Sequence, residues 1–289
     1  MFTKILKWFF IGFIGLVVVA AAIFLMLGGG FGERADRFSV NKDAPIVFAH
    51  KGLANYYAES SMASIIASVN MGFTAIEVDV TVTKDHRLIV FHDDSGKRLL
   101  GIEDDITDLN FEDIQRKALT FNGMKTEERI IPLDEFLSTY GDSLIIYLDI
   151  KIARKSVADT LIAYLERYNL YNTTLIADAD LMFLSYLKYQ EPKAKTILEG
   201  FSSGKEWTYS LIPRNFKPDY YSTSIGRVDE EQVQFLREKK LLNNMIVYGV
   251  NQDNIDRIYE LGVQNIILDY DTVMGAIGGI ESKLAEGRL

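Results

Sequence analysis

The chain has 289 residues, with 31 basic and 40 acidic side chains, a net charge of −9 and 48% hydrophobic content. That balance fits a globular protein with a sizeable core, built as one large domain or two ordinary ones. The acidic surplus argues against nonspecific nucleic-acid binding, and the absence of cysteine excludes disulfides, thiol catalysis and zinc–thiolate sites.

From Trp8 to Leu27 the run WFFIGFIGLVVVAAAIFLML has no charged or strongly polar residue; Lys4 and Lys7 precede it and Gly28-Gly29-Gly30 ends it. About 20 apolar residues suffice to cross a bilayer as a helix, whereas the apolar part of a cleaved secretory signal is usually about 7–15 residues. Residues 1–31 are therefore expected to form one N-terminal transmembrane helix, retained as a single-pass anchor. A buried core helix is not expected, since the run is apolar on every face and lies outside the strand–helix pattern that follows. Lysine and arginine are nearly balanced across the two flanks, so the positive-inside rule gives little. The order basic tail, apolar run, folded domain places the domain on the extracytoplasmic side. Lys4 and Lys7 are the only charged residues among the first 31, so 29 basic and 40 acidic residues remain beyond them. Such a domain is not drawn electrostatically to an anionic bilayer.

Residues 32–44 read as a polar linker and residues 45–289 as the main domain. Ile46 to Ala49 is a short buried strand ending at His50, and Gly52 lets the chain turn. Glu59 to Asn70 has helical spacing, with Gly72 just past its end. Phe73 to Thr81 and Arg87 to Phe91 are strands joined by a turn holding His86, which is read as an exposed turn residue. Asp108 to Lys117 reads as a helix, and Pro132 opens another through Thr139. Ser143 to Ile150 is a strand and Val157 to Tyr168 an amphipathic helix. The same beat continues with strands near 174, 196, 220, 244 and 265, a less regular stretch from 199 to 213, and a last helix over Thr272 to Leu284. Mostly apolar strands alternating with helices imply a parallel sheet covered on both faces. About eight such steps predict an α/β fold, a (β/α)8 barrel. No G-x-G-x-x-G turn follows the first strand, which argues against a dinucleotide-binding sheet.

All three histidines fall between positions 50 and 92. His50 and His92 sit where an apolar run meets a polar loop, and Glu77 and Asp79 stand two apart inside A-I-E-V-D-V, so they share one face of a strand. In a covered parallel sheet that strand has no wet face, and two acids there need a partner. A divalent cation would serve; all-oxygen ligands favour Mg2+ or Ca2+. Asp149 repeats the pattern at the end of L-I-I-Y-L-D-I-K and is the natural third ligand. Lys151 shares its face, either to pair with a carboxylate or to reach a phosphate oxygen. Two imidazoles around an acidic metal site read as acid and base, and Lys51 and Lys151 suit an anionic substrate such as a phosphodiester. In a barrel, active residues lie at the carboxyl ends of strands, where all of these fall.

These motifs resemble the glycerophosphodiester phosphodiesterases from about Pro45 to Tyr270. His50-Lys51-Gly52 is similar to that family's H-R-G, Ala58-Glu59-Ser60-Ser61 stands at its P-E-N-T, and Ile76-Glu77-Val78-Asp79 matches I-E-x-D. His92-Asp93 matches H-D, Leu148-Asp149-Ile150-Lys151 resembles I-E-I-K, and Val247-Tyr248-Gly249-Val250-Asn251 resembles W-T-V-N. The resemblance implies a TIM barrel that cleaves glycerophosphodiesters to glycerol 3-phosphate and an alcohol with Mg2+ or Ca2+. It implies Glu77, Asp79 and Asp149 as metal ligands and His50 and His92 as general base and acid. Lys51, Glu59, Lys151 and Tyr248 would line the substrate. Lysine at 51 lacks the bidentate grip of arginine, and aspartate at 149 also occurs in the related sphingomyelinase D branch. Two alternatives stay open at this point: lysophospholipase D-like cleavage of membrane lysophospholipid, and a non-catalytic barrel that binds a phosphorylated ligand.

Overall fold

The computed structural model describes residues 2–26, 30, 32 and 45–269. Helix α1 (Phe2–Met26) comes first; its segment Ile5–Leu25 is long and apolar enough to cross a membrane, and none of it is buried against the domain. There follow β1 (Val47–His50), α2 (Met62–Asn70), β2 (Ala75–Val82), β3 (Leu88–Val90), α3 (Lys97–Leu100), α4 (Phe111–Ile114), β4 (Thr120–Phe121), β5 (Met124–Lys125), β6 (Ile131–Pro132), α5 (Leu133–Tyr140) and β7 (Ile145–Ile150). The second half holds α6 (Lys155–Tyr168), β8 (Thr174–Asp178), α7 (Leu181–Gln190), β9 (Lys195–Glu199), α8 (Glu206–Leu211), β10 (Tyr220–Ser224), α9 (Glu230–Glu238), β11 (Met245–Val250), α10 (Ile255–Glu260) and β12 (Asn265–Leu268). Eight strands, β1, β2 and β7 to β12, pair in parallel, and β1 closes the ring by pairing with both β2 and β12. The fold is the expected (β/α)8 barrel.

Strand periodicity sorts side chains into two layers. One alternate set, with Phe48, Ala75, Tyr147, Leu175, Ala177, Ile197, Tyr220, Ile246 and Ile267, packs on itself inside the barrel. The other set, with Ile76, Val78, Val80, Ile146, Leu148 and Ile150, packs against the helices. Both layers are dry, which is why the strands read as near-continuous apolar runs. At the carboxyl ends the inner set turns polar: Ala75 leads to Glu77 and Asp79, Tyr147 to Asp149, and Ile197 to Glu199.

Three expectations change. Arg87 to Phe91 is not a barrel strand: β3 returns antiparallel along the end of β2, with Val80 opposite Val90 and Val82 opposite Leu88. The predicted helix over 59–70 starts only at Met62, because Ser60 has φ +54°, and Ser61 caps it by accepting from the Ser64 N–H at 3.2 Å. The helix expected over 108–117 shrinks to α4, within an excursion that packs Leu99, Leu100, Ile106, Ile114 and Leu119 into a small core of its own. The helix expected over Thr272 to Leu284 and nearly all of the linker lie outside the described residues.

Below the barrel, Lys188 of α7 is fully buried with Asp219, to which its ammonium donates, and also reaches the Ala194 carbonyl at 2.7 Å. Asp219→Ala leaves that buried ammonium without its counter-charge. It is expected to cost about 3–5 kcal/mol of stability, measured as a shift of the urea midpoint, with little change in KM.

Candidate active site

Register places the acidic groups. His50 stands opposite Glu77 across β1 and β2, and Asp79 stands opposite Asp149 across β2 and β7. The three carboxylates Glu77, Asp79 and Asp149 each offer an oxygen within 4.8 Å of the others. Around them lies a cavity of about 380 Å3 whose wall includes His50, Lys51, His92, Lys151 and Tyr248. Of the residues expected at the site, all but Glu59 line this cavity.

Lys51 turns the chain at the carboxyl end of β1 in the left-handed region, φ +52°. This conformation is uncommon outside glycine, and it is held by bonds from its N–H to Glu77 Oε2 at 3.0 Å and to the Glu77 carbonyl at 3.1 Å. Gly52 follows at φ +73°, where a Cβ would come within 2.7 Å of the Ser64 backbone; only glycine fits. The Lys51 ammonium then lies 3.3 Å from Asp79 Oδ2 and 3.6 Å from Glu59. Lys151 bridges Asp79 Oδ1 and Asp149 Oδ2, both at 2.7 Å.

Charge explains the titration. Burial and the neighbouring Asp79 charge push Glu77 up to about 8. Burial likewise raises Asp149, with Asp79 adding to it. Burial acts against ionised Asp79 too, but the Lys51 and Lys151 ammoniums outweigh it and hold Asp79 below its ordinary value. Three carboxylates thus face two lysines. Asp79 Oδ2 is buried and accepts no well-aligned hydrogen bond. An oxygen-only cluster of three converging carboxylates, with one buried oxygen that accepts no well-aligned hydrogen bond, suits a hard divalent cation such as Mg2+ or Ca2+.

Both imidazoles are held through Nδ1. His50 Nδ1 bonds Asp269, and its Nε2 lies 3.7 Å from Glu77. Burial lowers the His50 pKa, but the bond to Asp269 and the Glu77 charge outweigh it, and His50 titrates above its ordinary value. His92 follows β3, and the hairpin rather than a barrel strand brings it to the mouth, with the Phe91 N–H bonded to the Asp79 carbonyl at 3.0 Å. Its Nδ1 pairs with Asp93 Oδ1 at 2.8 Å.

Glu59 sits one step away from where its expected role puts it. Both of its oxygens accept from Arg98 at 2.7 Å, and Arg98 also donates to both oxygens of Asp93 at 2.7 and 2.8 Å. A chain Glu59–Arg98–Asp93–His92 results. Arg98→Ala is expected to lower kcat about tenfold through a loosened His92, with KM and the melting temperature moving far less. Equal loss in an Asp93→Asn, Arg98→Ala double variant would identify one shared pathway.

The sequence reading assigned no role to Arg98, Asp269, Tyr147 or Glu199. Tyr147 and Glu199 line the cavity, and the Tyr147 hydroxyl donates to Glu199 and lies 3.0 Å from Ser222 Oγ. Burial and the Asp149 charge push Glu199 up to about 7. Strand alternation carries a signal for two of them: Glu199 is two past Ile197 and Asp269 two past Ile267, each on an inner face. Arg98 carries none, since it comes from the excursion.

The sequence profile of the glycerophosphoryl diester phosphodiesterase family matches residues 50–272. A glycerophosphodiester phosphodiesterase of Caldanaerobacter subterraneus subsp. tengcongensis is 27% identical over 234 residues, 78% of this chain and 93% of that one. Among solved structures, a phosphodiesterase of Oleispira antarctica in complex with the product sn-glycerol-3-phosphate superposes with a TM-score of 0.68 at 18% identity, over 84% of this chain and 97% of that one. A glycerophosphodiester phosphodiesterase of Thermotoga maritima superposes with a TM-score of 0.64 at 20% identity, over 79% and 96% of the two chains. These two likenesses speak to the fold.

Proposed function

The chain belongs to the glycerophosphoryl diester phosphodiesterase family, and from that premise we propose that it hydrolyses glycerophosphodiesters to glycerol 3-phosphate and an alcohol. The observation that carries this is the ring at the barrel mouth: three converging carboxylates flanked by two imidazoles, each held at Nδ1 by its own carboxylate. Holding Nδ1 leaves Nε2 for proton transfer. One of His50 and His92 assists attack on phosphorus by taking a proton, and the other protonates the leaving alkoxide. Lys51 and Lys151 balance the charge of the phosphodiester, and Tyr248 lines the cavity wall. Glu77, Asp79 and Asp149 would hold Mg2+ or Ca2+, which when bound supplies Lewis-acid neutralisation of phosphoryl oxygen.

Helix α1 is the retained anchor of this enzyme, with the catalytic domain on the extracytoplasmic side. The Gly30 carbonyl accepts from the Arg214 N–H at 2.8 Å, in the segment that leads into the amino end of β10. The site is at the opposite, carboxyl ends of the strands. A mouth turned away from the anchor's exit favours a water-borne glycerophosphodiester over a lysophospholipid still seated in the bilayer.

The test is release of glycerol 3-phosphate from glycerophosphocholine by the full chain in detergent. Release is expected with Mg2+ or Ca2+, to be abolished by a chelator and restored by adding metal back. No glycerol 3-phosphate under any metal would sink the reading, and turnover of lysophosphatidylcholine alone would move the substrate to the membrane.

A further inference from the structure

Outside α1, five large apolar side chains among the described residues are more than half exposed, and four of them, Met182 (78%), Trp207 (66%), Leu211 (61%) and Tyr189 (56%), gather on one face. They border a cleft of about 600 Å3 between α7 and α8, floored by Ile212 and Phe216. Helix α8 makes the exposure systematic. Trp207 and Leu211 are four apart and share a side, while Tyr209 points the other way and is buried. Apolar patches of this kind on a soluble face mark a contact surface.

The tether says what covers it. Gly30 lies four residues past Met26, the last residue of α1, so about 14 Å of chain at most separates them. Its carbonyl is bonded to Arg214, and a Cβ there would lie 2.4 Å from the Arg214 guanidinium. Arg214 directly follows the cleft residues Leu211, Ile212 and Pro213. The bond from Arg214 to Gly30 thus holds the chain just past α1 beside the apolar cleft. Each copy carries a bilayer surface to this face as part of its own chain, at high effective concentration. Tryptophan and tyrosine are the side chains that settle at the headgroup level, and an apolar helix face with a basic rim is how a monotopic surface seats itself. Arg214, which adjoins the cleft residue Pro213, supplies a basic group beside it and is exposed.

We propose that the α7–α8 face, centred on Trp207, Leu211, Met182 and Tyr189, is a lipid-docking surface that seats the barrel on the bilayer beside its own anchor. This rests on reading residues 5–25 as a retained span. Docking fixes the orientation of the barrel, so that its mouth opens to the aqueous phase rather than swinging on a free linker.

The two tryptophans, Trp8 in α1 and Trp207 in the cleft, allow a direct test on the full chain in phosphatidylcholine vesicles. Trp8→Phe leaves Trp207 as the only reporter. Its emission is expected to shift blue, to fall about twofold with lipids brominated near the headgroup, and to be shielded from aqueous iodide. Leu211→Glu in that background is expected to return iodide access. Trp207→Phe leaves Trp8, which reports whether the anchor is in the bilayer. Trp8 quenched by brominated lipid while Trp207 stays open to iodide would overturn the docking surface and keep the anchor. Trp8 untouched by brominated lipid would overturn both. Trp207 shielded from iodide yet unaffected by brominated lipid would assign the face to a protein partner and overturn the proposal.

Discussion

His92→Ala is expected to lower kcat on glycerophosphocholine by about 10^2- to 10^4-fold, the usual worth of a positioned general acid or base. The fold should survive. The His92 side chain is 41% exposed and hydrogen-bonds Asp93, so its removal opens no cavity in either barrel layer. The three carboxylates are on β2 and β7, not on the hairpin loop that carries His92, so metal affinity should also persist. The measurement is a set of three: steady-state kinetics, thermal unfolding by circular dichroism, and calorimetric titration with Mg2+ or Ca2+. Normal turnover by the variant would defeat the two-histidine mechanism. Loss of turnover together with loss of metal binding would reassign His92 to the metal site.

The second large effect concerns the acidic cluster. Asp79→Asn keeps shape and removes the one carboxylate held ionised by both lysines. It is expected to weaken metal binding by at least about 100-fold and to remove turnover at ordinary metal concentrations. Lys151→Met should do the reverse to the metal. The Lys151 ammonium occupies Asp79 Oδ1 and Asp149 Oδ2, oxygens that a cation needs. Removing a like charge from beside the site favours a cation there, so affinity for metal should rise, about tenfold, while KM for the anionic phosphodiester rises as well. If Lys151→Met weakened metal binding, the ammonium would be a structural brace rather than a competitor and substrate contact.

The chemistry of the mouth was legible to an unusual degree because barrel strands obey a strict period of two. Glu77 and Asp79 share a face by spacing alone, and their apolar neighbours mark them as buried acids in need of a partner. Asp149 and Lys151 follow by the same rule. The excursion from Asp93 to Ile130 was not legible: its helices are a single turn long, and its core is assembled from residues scattered between Ala58 and Ile130. That is why no local signal marks Arg98 or its link from Glu59 to Asp93.

By itself, the sequence determined the apolar segment long enough to span a membrane, the alternation of strand and helix, the eight-step barrel and most of the residues at its mouth. Each of these rests on local periodicity or on short motifs whose meaning does not depend on distant neighbours. Only the tertiary structure decided that β3 runs backwards and so delivers His92, that Asp269 holds His50 across 219 residues of chain, that Lys151 lies between two carboxylates, and that Gly30, just past α1, accepts from the Arg214 N–H beyond the end of α8. Pairings of that kind are set by strand register, by which elements the closed ring brings side by side, and by the balance of charge in a buried space. None of those quantities is a property of a stretch of chain taken alone.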